Sequence, residues 1–415
     1  MAQVNAVVLG AGIVGTSVAL HLVKRGLAVA LIDRRAPGEE TSFGNAGVIE
    51  GSTLLPPAFP SDFSALLRIA LKRSPEANYH LGFLPQVASW LLAFRAASRP
   101  KQLLETARTM RPLFARAVAE HEVLLADSGA DRYLRKNGWL KLYRTEGSFA
   151  ALKGHLALAR DFDVPYRVLD TEAACALEPS LAPVFHRALF WENSASLSNP
   201  LAVTRAYAAR FAGLGGLLFT ADARSLHRAD GRWRVDTDQG AIDADEAVIA
   251  LGPFAADVLR PLGIDLPLAV KRGYHRHYRP KGNAGLTRPV VDMDVGYALA
   301  PMEQGIRLTT GAEFAARDAT PTPVQFGRLL PAAKSLFPLG EPTDATTWMG
   351  SRPCFPDSRP VIGRAPGRTG LWLAYGHAHW GLTLGPATGR LIAEMMSGAV
   401  PFTDPAPYSA ERFTR

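Results

Sequence analysis

Cysteine is scarce in this chain and long apolar runs are missing. Its 415 residues hold two cysteines, Cys175 and Cys354, too few and too far apart for a disulfide framework, which fits a reducing cytoplasm. No uninterrupted apolar stretch approaches the roughly 20 residues of a membrane-spanning helix, so an integral membrane protein is excluded. The first apolar run starts within a few residues of Met1 and leaves no room for the regions of a signal peptide. Positive charge is in excess, 46 Lys+Arg against 38 Asp+Glu for a net +8, yet it forms no long basic block. Dispersed cations favour solubility and attraction of anions, and no nucleic-acid partner is expected. A His/Cys/Asp cluster at metal-ligand spacing and a serine-nucleophile elbow are also missing, so no metal site is expected. No internal repeat or low-complexity segment occurs.

What is present begins at Val7-Val8-Leu9-Gly10-Ala11-Gly12-Ile13-Val14-Gly15. An apolar strand runs straight into G-x-G-x-x-G, a helical pattern follows over 16–25, Gly26 stops it, and a second strand over 29–32 ends in Asp33. This is the pattern of a dinucleotide-binding βαβ unit. Gly10 allows the tight turn, Gly12 lets backbone approach a pyrophosphate, and Gly15 lets helix and strand pack closely, with the helix N-terminus facing the phosphates. Asp33, about 20 residues past the first glycine, suits a ribose hydroxyl. The motif alone leaves NAD, NADP and FAD open.

Segment 40–49 is rich in small residues suited to wrapping a ligand, and Pro56, Pro57 and Pro60 end it. Helical periodicity covers 61–129, interrupted at Ser74-Pro75, Pro85 and Arg99-Pro100, and reads as an inserted helical layer. A strand is expected over 138–144, helices over 148–162 and 200–214, and a strand over 216–220. A hairpin of 233–237 with 241–244 precedes a separate buried strand over 246–253 that ends in glycine. Short strands over 270–310, clearest at 305–311, read as an antiparallel sheet. The tail repeats strand, glycine loop and helix over 371–397, giving a second helix N-terminus to meet negative charge.

With 47% hydrophobic content, the chain is long enough for two domains that share discontinuous segments. The fold class expected is α/β, a Rossmann-like nucleotide-binding domain from 1–58, 194–268 and 345–415. A discontinuous α+β substrate domain takes 59–193 and 269–344, on a mixed or antiparallel sheet. Residues 63–73 and 90–95 mix apolar side chains with cations as interfacial helices do. Packing on the protein's own core is the commoner use of such stripes; peripheral contact with the inner face of the cytoplasmic membrane stays open beside it.

Taken in order, these segments resemble the FAD-dependent amine oxidoreductases, the family of D-amino-acid oxidase, glycine oxidase and sarcosine oxidase. The resemblance covers nearly the whole chain. It is nearest to the bacterial D-amino-acid dehydrogenase branch, through Thr41-Ser42-Phe43-Gly44-Asn45-Ala46-Gly47, Gly138-Trp139-Leu140-Lys141-Leu142-Tyr143-Arg144-Thr145 and Arg352-Pro353-Cys354-Phe355-Pro356-Asp357-Ser358-Arg359-Pro360-Val361-Ile362-Gly363. The resemblance implies FAD as cofactor. It assigns the phosphates and ribose to Gly10, Ala11, Gly12, Ile13, Val14, Gly15, Asp33, Arg34 and Arg35, and the pyrophosphate and flavin edge to Thr41, Ser42, Asn45, Ala46, Gly47 and Val48. Ala223, Ala250, Leu251 and Gly252 match the adenosine half, and Trp380, Gly381, Leu382 and Thr383 the helix start beside the flavin. For Ser42 and Asn45, turn chemistry alone is the competing reading. The cysteine that binds flavin in sarcosine oxidase aligns with Gly350, so noncovalent FAD is implied and Cys354 reads as a buried small hydrophobe.

The same resemblance gives Arg352 the substrate carboxylate, for which a planar, permanently charged, bidentate partner is suited. The alternative is a structural arginine paired with Asp357. Tyr274 and Tyr297 are candidates for a hydroxyl to the same carboxylate, or amphipathic residues at a sheet edge. His379 faces flavin or substrate, or caps its loop; His377 reads as structural. The implied activity is FAD-dependent oxidation of a small D-amino acid or cyclic imino acid of the D-proline or hydroxy-D-proline type, by hydride transfer from Cα to flavin N5. Alternatives are oxidation of N-substituted glycines or opines, or a flavoprotein subunit of a larger redox complex. The implied partners are a small carboxylate-bearing amine and an electron acceptor, quinone or oxygen.

Overall fold

The fingerprint segment folds as the strand Ala2–Leu9, the helix Ile13–Lys24 and the strand Val29–Asp33. In the computed structural model, which describes residues 2–60, 62–74 and 77–413, these strands sit at the centre of an eight-stranded sheet. Across it run Leu217–Thr220, Val29–Asp33, Ala2–Leu9 and Gly240–Ile249, all parallel, and Leu371–Tyr375 extends the parallel run beside Ala247, Val248 and Ile249. The earlier part of Gly240–Ile249 pairs instead with the antiparallel strand Arg232–Thr237. The hairpin arm and the buried strand expected separately are therefore one strand, whose edge is shared by two partners in different surroundings.

Both faces of this sheet are covered. Along Ala2–Leu9, Ala6 and Val8 enter a core with the helices Ile13–Lys24, Pro100–Ser128, Pro200–Gly213 and Gly381–Met396, while Val7 and Leu9 enter the core on the other side. A strand buried on both faces reads as an unbroken apolar run, and each buried valine or leucine in it contributes roughly 1.5–3 kcal/mol. The register sets Leu9 opposite both Ile32 and Ile249. Gly10, Asp33 and Ala250 thus emerge together at the carboxyl edge, where open α/β sheets bind ligands.

A second sheet of eleven strands is built around Ala269–Pro280. That strand pairs antiparallel with Gly305–Thr309 and with Trp348–Cys354. Parallel pairing occurs where Val290–Asp292 meets Trp139–Tyr143 and where Ala312–Phe314 meets Ala77–Tyr79, so the sheet is mixed. The helix Val324–Leu336 packs Leu329, Ala333 and Leu336 into its core.

The helical layer over 61–129 resolves into Phe63–Ala70, Leu84–Ala97 and Pro100–Ser128, with the short strand Ala77–Tyr79 between. Three residues are too few to show a period. The break expected at Pro75 lies outside the described residues, as does position 61. Pro85 and Pro100 stand in the first turns of their helices, where a missing N–H costs nothing, so they start helices and do not interrupt them. Leu84–Ala97 buries Val87, Trp90 and Phe94 in the main core, whereas Phe63, Leu67 and Leu71 stay exposed. Among the described residues no helix is long and apolar enough to cross a membrane.

Candidate active site

A cavity of about 1330 Å3 is walled by the carboxyl edge of the first sheet and by the second sheet. Ordinary small-ligand pockets span roughly 300–1,000 Å3, so this one has room for a large cofactor together with a substrate. Gly10 needs its left-handed φ of +107°, and a Cβ at Gly15 would fall 1.8 Å from the Gly10 carbonyl oxygen. These contacts bring the start of helix Ile13–Lys24 to the cavity wall. Its cap residue, Gly12, offers no side chain, and Ile13 donates its N–H to Ser42 Oγ at 2.9 Å.

Asp33 faces the same end and accepts from the Ala11 N–H at 2.7 Å and the Arg35 N–H at 3.1 Å. Arg34 and Arg35 line the wall while sharing Glu40 at 3.1 and 2.9 Å. Val14, Ala223, Ala250, Leu251 and Gly252 complete this end. Ala11 and Gly15 lie behind the wall and shape the turn.

Thr41, Ser42, Asn45, Ala46 and Val48 run along the middle of the cavity. Thr41 donates to the Ser351 carbonyl at 2.9 Å, tying this segment to the strand that carries Arg352. Asn45 Oδ1 accepts from the Gly47 N–H at 2.8 Å, so turn chemistry is part of its role while the residue still lines the cavity. Gly47 packs against the Leu197 carbonyl, off the wall. Trp380, Gly381 and Leu382 bring a second helix start to the site. Thr383 does not reach it; its hydroxyl donates to the Val48 carbonyl at 3.1 Å and accepts from the Glu50 N–H at 3.3 Å, bracing the opposite wall.

In the remaining chamber, Arg352 donates to the carbonyls of Gly311 at 3.0 Å and Thr310 at 3.3 Å. Among the described residues no carboxylate pairs with it. Asp357, its structural alternative, instead holds Arg359 at 2.9 Å and Arg412 at 2.8 Å. Burial pushes the Arg352 guanidinium below its ordinary range. His379 shares the chamber, its side chain 39% exposed and 3.9 Å from Glu50; its place within the cavity, and then the cations Arg352, Lys271 and Lys141, lower it from its ordinary value, which favours the neutral ring. Glu50, raised by burial, takes a hydroxyl hydrogen bond from Thr53 and feels Lys141.

The two tyrosines divide. Tyr274 lines the cavity, but its hydroxyl donates to Glu313 and accepts from the Thr322 N–H at 2.8 Å. That hydroxyl proton is already spent, against the expectation of a substrate contact. Tyr297 points away altogether and donates to the Ala332 carbonyl at 3.3 Å, while its neighbour Ala298 faces the cavity. Successive side chains of a strand alternate between faces, and the sequence could not say which of the two was inward. His377 is structural, paired with Thr388 at 2.9 Å. Among the described residues, His275, His277 and Asp344 could approach one metal ion. However, His277 binds Asp344 through Nδ1 at 2.8 Å and receives Arg307 at Nε2 at 2.9 Å, leaving a cation on the side a metal needs.

The family model described as FAD dependent oxidoreductase, DAO, matches residues 5–395. The chain belongs to this FAD-dependent oxidoreductase family. A D-amino acid dehydrogenase of Rhizobium rhizogenes is 32% identical, covering 98% of this chain and 99% of the relative. A D-amino-acid oxidase of Bradyrhizobium diazoefficiens is 29% identical, with 98% of each chain covered. The glycine oxidase structure from Geobacillus kaustophilus superposes with a TM-score of 0.75 at 24% identity over 99% of both chains, a likeness of fold. The protein is an FAD-dependent enzyme of amino acid oxidation or dehydrogenation, of α/β class.

The residues of this FAD-dependent oxidoreductase fit its cofactor. A Cβ at Gly12 would lie 3.2 Å from Ser42 Oγ and fill the cradle before the first helix, which a pyrophosphate needs open. Asp33 stands within the cavity at the sheet edge for a ribose. Lys141, Lys271 and Glu50 are chamber residues that the sequence reading did not single out. Trp139, Lys141 and Tyr143 all line the cavity, so their period-two spacing was the available signal, once the inward face is known.

Proposed function

We propose that the enzyme oxidises a small carboxylate-bearing amine, a D-amino acid or cyclic imino acid, to the imine, holding noncovalent FAD and binding the substrate carboxylate on Arg352. The observation that carries this is the Arg352 guanidinium in the cavity with carbonyls as its partners. FAD, when bound, would supply the two-electron acceptor for the hydride of the substrate Cα, while the amine gives up its N–H proton to water as the C=N bond forms. Arg352 anchors the carboxylate and thereby sets the height of Cα, and such positioning supplies much of the rate. His379, neutral and near Glu50, borders the substrate amine in this reading. Trp380, Gly381, Leu382 and the segment 41–48 hold the flavin. The Cys354 thiol contacts the Arg352 carbonyl at 3.5 Å and is raised by burial, which supports a flavin without a covalent anchor.

Residues 1–58, 194–268 and 345–415 form the FAD-binding part in this reading, and 59–193 with 269–344 the substrate part; Trp348–Cys354, although within the last FAD-binding segment, is a strand of the second sheet, paired with Ala269–Pro280, and carries Arg352 there. Exposed Phe63, Leu67 and Leu71 beside Arg68, Lys72 and Arg73 support a peripheral membrane contact, and with it a quinone as acceptor in preference to oxygen. Anaerobic addition of D- and L-amino acids, followed by air or a quinone analogue, tests substrate and acceptor together. Arg352→Ala is expected to keep FAD and lose flavin bleaching by all carboxylate-bearing amines, a drop of 100-fold or more in kcat/KM (about 3 kcal/mol). Wild-type bleaching in that variant would overturn the assignment.

A further inference from the structure

We infer that the preferred substrate carries a second carboxylate, held by Lys271 beside the one held by Arg352. The inference rests on the proposed amine oxidation and adds the substrate class. Lys271 and Arg352 are directly paired residues of the antiparallel strands Ala269–Pro280 and Trp348–Cys354. Paired residues project to the same face with Cβ atoms about 5 Å apart, and both of these line the cavity.

Among the described residues neither has a carboxylate partner. The Lys271 ammonium is instead boxed by aromatic rings, 4.2 Å from the centroid of Phe94, 4.9 Å from Trp90 and 5.6 Å from Phe314. Trp90 donates to the Cys354 carbonyl at 3.1 Å, which fixes the box to the strand that bears Arg352. The ring faces hold the flexible lysine stem in one place and attract its charge without neutralising it.

The acids nearby are engaged elsewhere. Glu313 serves Arg272, and Glu50, the acid of the same chamber, is set against a third cation, Lys141. The chamber therefore holds two enclosed positive charges with no negative counterpart, an arrangement that burial penalises until a ligand supplies one. A monocarboxylate neutralises Arg352 and leaves Lys271 uncompensated; an aminodicarboxylate such as aspartate or glutamate, or an N-carboxymethyl amine, neutralises both. Burial lowers both cations from their ordinary values, in keeping with this imbalance.

The test compares isosteric pairs on the FAD-loaded enzyme: aspartate with asparagine, glutamate with glutamine, in both enantiomers, and iminodiacetate with its monoamide. Anaerobic flavin reduction is expected to favour each dicarboxylate at least tenfold in kcat/KM. Lys271→Met is expected to shrink that ratio at least tenfold, mainly through KM, whereas Lys271→Arg keeps it. Equal or better use of the neutral partners by the wild type would overturn the inference and leave amine oxidation standing, and this comparison needs no variant to fold. An equal loss on both members of each pair in Lys271→Met, or a changed flavin spectrum with the ratio intact, would also overturn it. Failure of every amine to bleach the flavin would remove the proposed oxidation itself.

Discussion

Glu313 gathers more charge and hydrogen bonding than any other described acid of the second sheet. It meets Arg272 at 2.5 Å with both side chains fully buried, and it accepts from Asn78 at 2.9 Å and from the hydroxyls of Tyr274 and Thr322. Burial works to raise its carboxyl, but the hydrogen bonds from Thr322, Tyr274 and Arg272 prevail and hold it below the usual range. Glu313→Ala strands a buried guanidinium and is expected to cost about 3–5 kcal/mol in urea unfolding. The double change Arg272→Met with Glu313→Leu should cost less than the sum of its single changes, since it removes both charges together. Tyr274→Phe takes one donor from the same cluster. We expect a loss of about 1–2 kcal/mol in stability with KM for the amine within twofold, because the hydroxyl is committed to Glu313. A tenfold rise in KM would restore Tyr274 to the substrate.

Among the elements, the helix Gly381–Met396 crosses Ile13–Lys24, and at the crossing a Cβ on Gly389 would lie 2.6 Å from the carbonyl carbon of Ser17. Backbone must move to admit it. Gly389→Ala is expected to lower stability by about 1–3 kcal/mol. It should also weaken FAD retention on dilution, since both helices begin at the cavity; unchanged flavin release would separate the crossing from the site. This contact, like the pairing of Lys271 with Arg352, joins residues distant in the chain, and local periodicity carries no trace of it. Elements with their own local chemistry were legible: the strand and glycines through Gly15, the stop at Gly26, the loop and helix after Tyr375. Arg352 could be named as a candidate because its motif is compact, whereas its carbonyl partners Gly311 and Thr310 are set by strand register. The inward face of Tyr297–Met302 and the shared edge of Gly240–Ile249 needed the sheet itself.

For the whole molecule, acid should be the weak side of the stability curve. His21, His121, His155 and His377 are each lowered to about 3 or 4, first by burial, and His275 to about 2. An unfolded histidine titrates near 6.5. Between that value and the native ones the unfolded chain binds more protons, so stability rises with pH there and is lost as pH falls. The contribution is complete above about 6.5 and disappears progressively as pH falls, toward about 4 for His121 and His155, about 3 for His21 and His377 and about 2 for His275. Glu50, raised by burial, acts in the opposite sense, one group against several. Urea midpoints measured from pH 8 to pH 5 should therefore fall steeply below 6.5. His121 illustrates the cause: Nε2 donates to the Leu382 carbonyl at 2.7 Å and Nδ1 meets the Tyr207 hydroxyl at 3.2 Å, and among the described residues no carboxylate pairs with the enclosed ring to offset the charge of a second proton. His121→Asn is expected to lower stability at pH 8 yet flatten the acid slope by about one proton, roughly 1.4 kcal/mol per pH unit. An unchanged slope in that variant would mean that the ring is already protonated in the folded state.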